Sequence, residues 1–369
     1  MKVVAVLGTR PEVIKLAPVI AELRRSPHAD TLVVSTGQHR ELLDQMLAQF
    51  DLAADIDLNV MRPKQRLSDL TAELVRALGD ALRTLEPDWV LVQGDTSTTM
   101  CAALAAFYET VSVAHVEAGL RTGDHYAPFP EELNRRVVAR IASLHFCPTP
   151  ASAANLIDEA VPSERVCVTG NTVIDALMWA TERARRLPPP VLRTRPRRIL
   201  LTLHRRESHG EAMRAVCDAI RAVAARGDSE IVFPVHRNPA VRDVVLPALE
   251  HVDGVHLCEP LDYLELVHVL DSSDLVLTDS GGLQEEAPSL GKPVLVLRDT
   301  TERPEAVAAG VARLVGTNAG VILAAAAKLL DDPVAYASMA HRENPFGDGL
   351  ASRRIVRMLT EQSVLSRVA

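Results

Sequence analysis

Residues 278–286 read Thr-Asp-Ser-Gly-Gly-Leu-Gln-Glu-Glu and follow an apolar run at residues 275–277. This order predicts a buried strand, a tight turn and a short helix. Because Gly281 and Gly282 carry no Cβ, the backbone can approach a ligand closely there. The first N–H groups of the following helix favour an anion such as a phosphate. The turn is therefore a candidate phosphate site, and an ordinary strand-to-helix turn is the alternative.

Two carboxylates, Glu285 and Glu286, lie one helical turn after these glycines. A carboxylate repels a phosphate, so we expect the pair to hold neutral hydroxyl groups such as a ribose diol. The alternative is that both acids only complement the dipole at the start of the helix.

A second turn with charged side chains follows the apolar run at residues 3–7. Arg10 and Lys15 lie at the start of the helix predicted next, and ligands of open α/β sheets bind at the carboxyl ends of strands. The pair could therefore hold a diphosphate, although two solvated surface cations are the alternative. We expect Pro18 in an early turn of this helix, where a missing N–H costs little.

Polar side chains follow several other predicted strands at the point where each strand ends. Together with the two turns above, these positions are Arg10, Asp95, Glu117, His204, His236, Asp279 and Ser280. Taken singly, such residues have simpler explanations. Asp95 can cap a helix, and His204 can be a structural histidine. Glu131, which follows Pro130 at the start of a predicted helix, can complement the helix dipole. Placement on loop after loop at the carboxyl edge of a sheet favours a shared binding site instead.

Apolar runs and helices alternate in two consecutive sets of similar size. The first set predicts an N-terminal Rossmann-like domain at residues 1–169, and the second predicts a nucleotide-binding domain at 170–350. A Pro- and Arg-rich stretch at 187–196 is the predicted linker. A last amphipathic helix, at about 351–369, is expected to pack back on the first domain. The predicted fold class is α/β, with two doubly wound parallel-sheet domains that face each other across an interdomain cleft.

Composition excludes several function classes. The chain has 369 residues, of which 47% are hydrophobic and 24% charged, as in soluble proteins of two domains. Only 3% of the residues are aromatic and the net charge is −8, so nucleic acid is not an expected partner. No apolar run is long enough for a membrane span or a signal peptide. We therefore expect a cytoplasmic protein that does not bind membranes.

No cofactor or metal is expected. The turn at residues 8–10 lacks the G-x-G-x-x-G spacing of NAD-binding proteins. The 5 cysteines show no CxxC pairing and are expected to be reduced thiols. No spacing of His and Cys resembles a structural zinc site.

A series of short motifs, in order along the chain, resembles those of the non-hydrolysing bacterial UDP-N-acetylglucosamine 2-epimerases. The motifs are GTRPE at 8–12, GQHR at 37–40, GDT at 94–96, HVEAGLRTG at 115–123, PEELNR at 130–135, GNT at 170–172, HRRES at 204–208, DSGG at 279–282 and RDTTERPE at 298–305. The resemblance extends from Lys2 to about Gly349. It implies a GT-B-type fold, usually a homodimer, and a role in the synthesis of cell-envelope polysaccharides.

The resemblance also implies the reaction, which inverts carbon 2 of UDP-GlcNAc to give UDP-ManNAc. The hydrogen on carbon 2 is not acidic, but loss of UDP makes carbon 1 cationic and that proton removable. The intermediate is a 2-acetamidoglucal that stays bound beside UDP. Carbon 2 is then reprotonated on the opposite face, and UDP is added back to carbon 1. This chemistry needs cations for the diphosphate, acid/base groups at both ring faces, and an enclosed site.

Roles for particular residues follow from the same resemblance. Asp95, Glu117 and Glu131 match the catalytic carboxylates, and His204 a partner of the diphosphate or of proton transfer; which carboxylate serves which face stays open. The implied substrate contacts are Arg10, Lys15, Ser280, Gly281, Gly282, Glu286 and Arg303. In some members, the stretches that hold Gln38, His39 and His236 bind a second UDP-GlcNAc as an allosteric activator.

One stretch departs from the family. Where some members have Gln and Phe near the uracil, this chain has Leu261 and Leu266, which leaves recognition of the base open. The alternatives are a hydrolysing 2-epimerase that releases ManNAc and UDP, an epimerase of a related UDP-diacetamido sugar, a GT-B glycosyltransferase, and an inactive nucleotide-sugar sensor. A transferase needs an acceptor pocket and typically one base, not three carboxylates around the donor sugar.

Overall fold

Apolar runs that end in a polar or glycine turn form two parallel sheets in the computed structural model. The structure describes residues 1–37, 40–62, 64–205 and 210–368. Strand residues such as Val4, Ala5, Leu200 and Leu277 are fully buried. This is the pattern of parallel strands that helices cover on both faces.

The first compact unit consists of Met1–Ala176 and Phe346–Ala369. Its strands are β1 (Lys2–Leu7), β2 (Asp30–Ser35), β3 (Ile56–Asp57), β4 (Trp89–Gln93), β5 (Ser112–Val116), β6 (Leu144–Cys147) and β7 (Val166–Val168). They form one parallel sheet in the order β3-β2-β1-β4-β5-β6-β7. The strand order reverses between β1 and β4, and ligands of doubly wound sheets bind beside such a reversal.

Helices alternate with these strands. They are α1 (Arg10–Arg25), α2 (Arg40–Gln49), α3 (Leu67–Leu85), α4 (Ser97–Tyr108), α5 (Glu131–Ile141), α6 (Pro150–Asp158), α7 (Thr172–Ala184) and the C-terminal α15 (Ala351–Val368). The prediction for Pro18 was wrong, because this residue lies in the middle of α1 and Pro11 occupies the first turn. A capping box between Thr9 and Glu12 sets the start of the helix at Arg10.

The second compact unit is Leu177–Pro345. Its strands are β8 (Arg197–Thr202), β9 (Ser229–Pro234), β10 (Val255–Cys258), β11 (Leu275–Thr278), β12 (Val294–Val296) and β13 (Ala312–Leu314), in the parallel order β10-β9-β8-β11-β12-β13. Its helices are α8 (Glu211–Ala224), α9 (Pro239–Leu249), α10 (Tyr263–Ser272), α11 (Gly281–Glu286), α12 (Pro304–Ala308), α13 (Ala319–Asp331) and α14 (Pro333–Ala340). Because β8 and β11 are neighbours, the loops that follow them lie side by side.

The two all-parallel sheets confirm the predicted fold class of two doubly wound α/β domains. The predicted boundary between residues 169 and 170 stays a prediction, since α7 continues without a break from one unit into the other. Helix α15 packs on α1 and buries Ile355 and Leu359 completely. No helix within the described residues has both the length and the apolar character that a membrane span requires.

Candidate active site

The turn between β1 and α1 places Arg10 at the start of the helix. Glu12 is fully buried, and its Oε2 accepts hydrogen bonds from the backbone N–H groups of Gly8 at 2.9 Å and Thr9 at 2.6 Å. These bonds hold the turn in one conformation. Arg10 is half-buried, and its guanidinium has no hydrogen-bond partner within the described part of the chain. It is therefore available to an anionic ligand.

Glu117 directly follows β5 and is the most tightly held of the predicted catalytic carboxylates. It has a φ of 60°, a left-handed conformation that glutamate rarely adopts and that often marks functional sites. The side chain is buried, and its carboxylate accepts hydrogen bonds from Lys15 and from Gln93. Asn171 Nδ2 donates a third at 3.3 Å. Lys15, predicted to hold the diphosphate, thus forms an ion pair with Glu117.

Asp95 follows β4 and lies beside helix α5. Arg135 forms an ion pair with its carboxylate, and Asn134 Nδ2 donates a hydrogen bond to its backbone carbonyl at 2.9 Å. Burial raises the pKa of the Asp95 carboxyl above its ordinary value. The charge of Arg135 opposes this shift in pKa, whereas the charges of Glu117 and Glu131 add to it. The structure therefore brings the three predicted carboxylates into one electrostatic neighbourhood.

Two adjacent acids at the start of α5 have different surroundings. Glu131 is half-buried, and its carboxylate makes no hydrogen bond or ion pair within the described residues. Glu132 is fully buried, and accepts hydrogen bonds from Arg136 Nε at 2.9 Å and from the backbone N–H of Thr122 at 3.1 Å. It also lies 3.5 Å from the guanidinium of Arg135. Glu132 thus fixes α5 and its arginines, while Glu131 is open to a substrate.

In the second unit, His204 follows β8 and Asp279 follows β11. The fully buried Asp279 accepts a hydrogen bond from His204 Nδ1 at 2.9 Å. It also accepts from the backbone N–H groups of His204 at 2.9 Å and Arg205 at 2.8 Å. Burial alone would raise the pKa of Asp279, but these hydrogen bonds lower it below its ordinary value.

This contact sets the tautomer of His204. Since an ionised Asp279 can only accept, Nδ1 of His204 carries a proton. The other ring nitrogen, Nε2, belongs to a side chain that is 43% exposed. It is the nitrogen that His204 can offer to a ligand.

The glycine turn after β11 lies next to two guanidinium groups. A Cβ on Gly281 would stand 3.9 Å from a guanidinium nitrogen of Arg205 and 3.9 Å from Cζ of Arg303. Arg205 also forms an ion pair with Glu302 at 3.0 Å. Two guanidinium groups beside a backbone without side chains can bind a phosphate, because arginine recognises phosphate oxygens through paired N–H donors.

The remaining residues of this turn have distinct partners. Ser280 is half-buried, and its N–H donates to Thr278 Oγ1 at 2.9 Å. Glu285, expected to hold a hydroxyl group, is instead buried and paired with Arg303. Glu286 is half-buried, and its Oε1 lies 3.4 Å from the place where a Cβ on the second glycine, Gly282, would stand.

The residues predicted for the allosteric site and for uracil recognition are only partly described by the structure. The exposed ring of His236 is centred 6.5 Å from that of His204, and its Nδ1 accepts a hydrogen bond from the backbone N–H of Asn238 at 3.1 Å. Leu261 and Leu266 are each half-buried. Gln38 and His39 lie outside the described residues, as do residues 206–209.

Several residues that contact the site were not assigned a role from the sequence. Gln93 is the last residue of β4, Asn171 stands in the GNT motif, and Arg135 follows Glu131 by one helical turn. The last two lie in motifs, yet neither spacing shows which carboxylate they would reach. Asp279 was noted as a strand-end residue, but its contact with His204 depends on two strands far apart in the sequence.

The described residues contain neither a group of side chains that could bind a metal nor a cysteine activated as a nucleophile. No three side chains of His, Cys, Asp or Glu converge there in a way that could hold a metal ion. All five cysteines are free, and Cys101, Cys147 and Cys217 are buried. Burial raises the pKa of the Cys101 and Cys147 thiols to about 12, so neither is a ready nucleophile.

Comparison with known proteins agrees with the motifs. A family described as UDP-N-acetylglucosamine 2-epimerase matches residues 21–360. The chain is 48% identical over 374 residues to the UDP-N-acetylglucosamine 2-epimerase of Salmonella typhimurium, an alignment that covers 99% of this chain and 100% of the relative. It is 47% identical over 374 residues to the enzyme of the same name from Escherichia coli, with the same coverage.

Solved structures show the same relationship. The UDP-GlcNAc 2-epimerase from Neisseria meningitidis, bound to UDP-GlcNAc, matches with a TM-score of 0.88 and 48% identity over 98% of this chain and 100% of that one. The Methanocaldococcus jannaschii enzyme, in complex with UDP-GlcNAc and UDP, matches with a TM-score of 0.78 and 33% identity over 98% and 100% of the two chains. These matches confirm the GT-B-type fold class and the family inferred from the motifs. The chain therefore belongs to the UDP-N-acetylglucosamine 2-epimerase family.

Proposed function

We propose that the protein interconverts UDP-GlcNAc and UDP-ManNAc by eliminating UDP to a 2-acetamidoglucal and adding it back. The observation that carries this proposal is the grouping of Asp95, Glu117 and Glu131 at the carboxyl ends of β4 and β5 and the start of α5. Inversion at carbon 2 needs one group that removes a proton and another that returns one on the opposite face.

The surroundings of Asp95 and Glu117 differ, as a reaction that needs both an acid and a base requires. Glu117 accepts hydrogen bonds from the ammonium of Lys15, from Gln93 and from Asn171, and these donors stabilise its anion. Burial shifts Asp95 toward its protonated form, against the charge of Arg135. When the surroundings of two carboxyl groups favour the neutral form of one and the anion of the other, the pair can serve as acid and base at one pH.

The second unit supplies groups suited to the leaving diphosphate. The turn Ser280-Gly281-Gly282, the guanidinium groups of Arg205 and Arg303, and Nε2 of His204 would bind its oxygens and stabilise their charge as the glycosidic bond breaks. Glu286 would hold the ribose hydroxyls. In the first unit, Arg10 and Lys15 would add positive charge, with Lys15 shared between the phosphate and Glu117.

Further parts of the proposal follow from family membership. We propose the non-hydrolysing outcome, a homodimer, a cytoplasmic location, and a role in supplying UDP-ManNAc for cell-envelope polysaccharides. The solved structures of the two relatives from Neisseria meningitidis and Methanocaldococcus jannaschii contain UDP-GlcNAc, which supports a nucleotide sugar as the ligand. His236 is proposed, with Gln38 and His39, as part of a second UDP-GlcNAc site.

Incubation with UDP-GlcNAc in deuterated water tests the reaction. We expect UDP-ManNAc with deuterium at carbon 2, detected by NMR and mass spectrometry. Product without deuterium would contradict proton exchange with solvent, and free ManNAc with UDP would identify a hydrolysing enzyme.

Carboxylate variants in the same assay test the residues. We expect Asp95→Asn and Glu117→Gln each to lower turnover ~100-fold or more, while UDP binding by calorimetry is largely retained, because most of the proposed UDP contacts belong to the second unit and neither carboxylate is one of them. Glu109→Gln is the matched control, since Glu109 pairs with Arg83 at the far end of α4. Normal turnover in either test variant would remove that carboxylate from the mechanism.

A further inference from the structure

The turn that carries Asp95 is held by the end of the neighbouring strand. Gln93, the last residue of β4, pairs with Val116 of β5. One residue further, the N–H of Gly94 still donates to the carbonyl of Val116 at 3.0 Å. The carbonyl of Gly94 has no equivalent donor on the β5 backbone, because the N–H of Ala118 turns away to the carbonyl of Phe146 at 3.0 Å.

A side chain supplies the missing donor. His115 Nε2 lies 2.7 Å from the carbonyl oxygen of Gly94. On the other side of the same turn, a Cβ on Gly94 would stand 3.7 Å from Oε2 of Glu117. Since the N–H of Gly94 donates to Val116, three successive residues, His115, Val116 and Glu117, thus surround Gly94. This glycine has a φ of 71°, which a residue with a side chain adopts only at a cost.

The chemical state of His115 suits a permanent donor. The residue is 1% exposed, and burial lowers the pKa of its imidazole to about 3, so the ring is neutral at any ordinary pH. Since a carbonyl can only accept, the ring proton lies on Nε2. Nδ1 is buried with no hydrogen-bond partner in the described part of the chain. Burying an unsatisfied nitrogen costs free energy, and an apolar side chain at this position would avoid that cost.

We propose that His115 is a positioning residue, whose Nε2–H group fixes the Gly94 carbonyl and thereby sets Asp95 against Glu117. Asp95 is the next residue after Gly94, so rotation of the Gly94 peptide would move its side chain. The inference rests on the proposed function, since it requires that Asp95 and Glu117 both act on the sugar. His115 does not touch the substrate in this proposal.

His145 provides a matched comparison. It lies on β6 directly opposite His115 in the strand register, and it is also fully buried. Burial lowers the pKa of its imidazole to about 4, and the two rings are centred 6.4 Å apart. No hydrogen bond joins His145 to Gly94 within the described residues. A variant of His145 therefore disturbs packing in the same layer without removing the donor.

The experiment compares His115→Phe, His115→Gln and His145→Phe. Glutamine keeps an N–H donor at nearly the position of Nε2, whereas phenylalanine keeps a ring without a donor. We expect His115→Phe to lower kcat ~10- to 100-fold, as small displacements of catalytic groups do, with the Kd for UDP unchanged within about twofold. His115→Gln should restore kcat to within about threefold of wild type. His145→Phe should lower Tm but leave kcat within about twofold.

Several results would overturn the proposal. They are a wild-type kcat in His115→Phe, an equal loss in His115→Gln, or an equal loss in His145→Phe. If His115→Phe does not fold, His115→Asn replaces it, because its shorter amide fits the space but does not reach Gly94; a wild-type kcat there also contradicts the proposal. Failure of the proposed function is seen separately, as wild-type product that carries no deuterium at carbon 2.

Discussion

At the scale of single residues, the same functional group has different properties in different surroundings. Asp95 is half-buried beside Arg135, whereas the buried Glu117 accepts hydrogen bonds from Lys15, Gln93 and Asn171. Glu131 has no such partner in the described residues. These surroundings, rather than the carboxyl groups themselves, distinguish the three residues, because burial favours the neutral acid and hydrogen-bond donors favour the anion.

The ion pair of Arg135 with Asp95 leads to a pH prediction. Arg135 stabilises the Asp95 carboxylate, so Arg135→Met should raise the pKa of Asp95 further above its ordinary value. Loss of an adjacent opposite charge changes a carboxyl pKa by about one to three units. The limb of the pH profile of kcat/KM that Asp95 sets should therefore move to higher pH.

Arg136→Met is the control for this experiment. Arg136 lies next to Arg135 on α5, but it pairs with Glu132 of the same helix and makes no contact with Asp95 in the described residues. Profiles of wild type and both variants should be recorded between about pH 3.5 and about pH 9, a range that includes the ordinary pKa values of carboxyl groups and histidine. A profile of Arg135→Met with both limbs in their wild-type positions would show that the charge of Arg135 does not control the titrating group.

At the scale of elements, the loop after β5 is held against α6. Gly119 has a φ of 90°, and a Cβ there would lie 2.1 Å from the carbonyl oxygen of Ser152. Asn155 Nδ2 donates to the carbonyl of Gly119 at 3.0 Å, and Arg121 pairs with Glu159 at 2.7 Å. Close approach of two backbones, possible only at glycine, thus fixes the loop that begins with Glu117.

Two glycines of this loop can be compared directly. Gly119→Ala should destabilise the protein by more than ~2 kcal/mol, because a backbone clash adds to the cost of the left-handed conformation. Gly123→Ala has the same type of strain, with a φ of 84°, but no atom lies within 4 Å of the new Cβ. It should cost only about 1 kcal/mol. Urea unfolding gives both values, and equal losses would contradict the close contact with α6.

At the scale of the whole molecule, the two ends of the chain build one unit. Asp175 in α7 accepts hydrogen bonds from the N–H and hydroxyl of Ser352 at 2.8 and 2.6 Å, and from the N–H of Ala351 at 3.2 Å. Near the other end of α15, Trp89 Nε1 donates to Ser363 Oγ at 3.0 Å. The last helix therefore stabilises the unit that contains Asp95 and Glu117.

Removing the acceptor at the start of α15 tests this arrangement. Asp175→Ala should cost about 1–2 kcal/mol, the usual value of an N-terminal cap, and hydrogen exchange should accelerate in residues 351–368. Amides of β8 to β13 in the second unit should be unaffected. Asp80→Ala is the control, because Asp80 lies on α3, is 60% exposed and pairs at the surface with Arg76 and Arg83. Equal acceleration in both units would contradict the assignment of α15 to the first.

The sequence by itself determined the fold class and placed the candidate site residues at the ends of strands. Apolar runs that end in glycine or polar residues locate parallel strands, and parallel strands bring their carboxyl ends to one edge. Asp95, Glu117, His204 and Asp279 could be recognised as strand-end residues for this reason. Local sequence was a weaker guide to helix starts, since the capping box of Thr9 and Glu12, not Pro18, sets the first turn of α1.

Only the tertiary structure decided which groups are partners. Lys15 with Glu117, Arg135 with Asp95, and His204 with Asp279 are contacts between different elements. Side chains from loops far apart in sequence meet only once the strand order is known, and their pKa values depend on burial and charge in three dimensions. For the same reason, the spacing of residues in the sequence does not predict the hydrogen bond from His115 to Gly94.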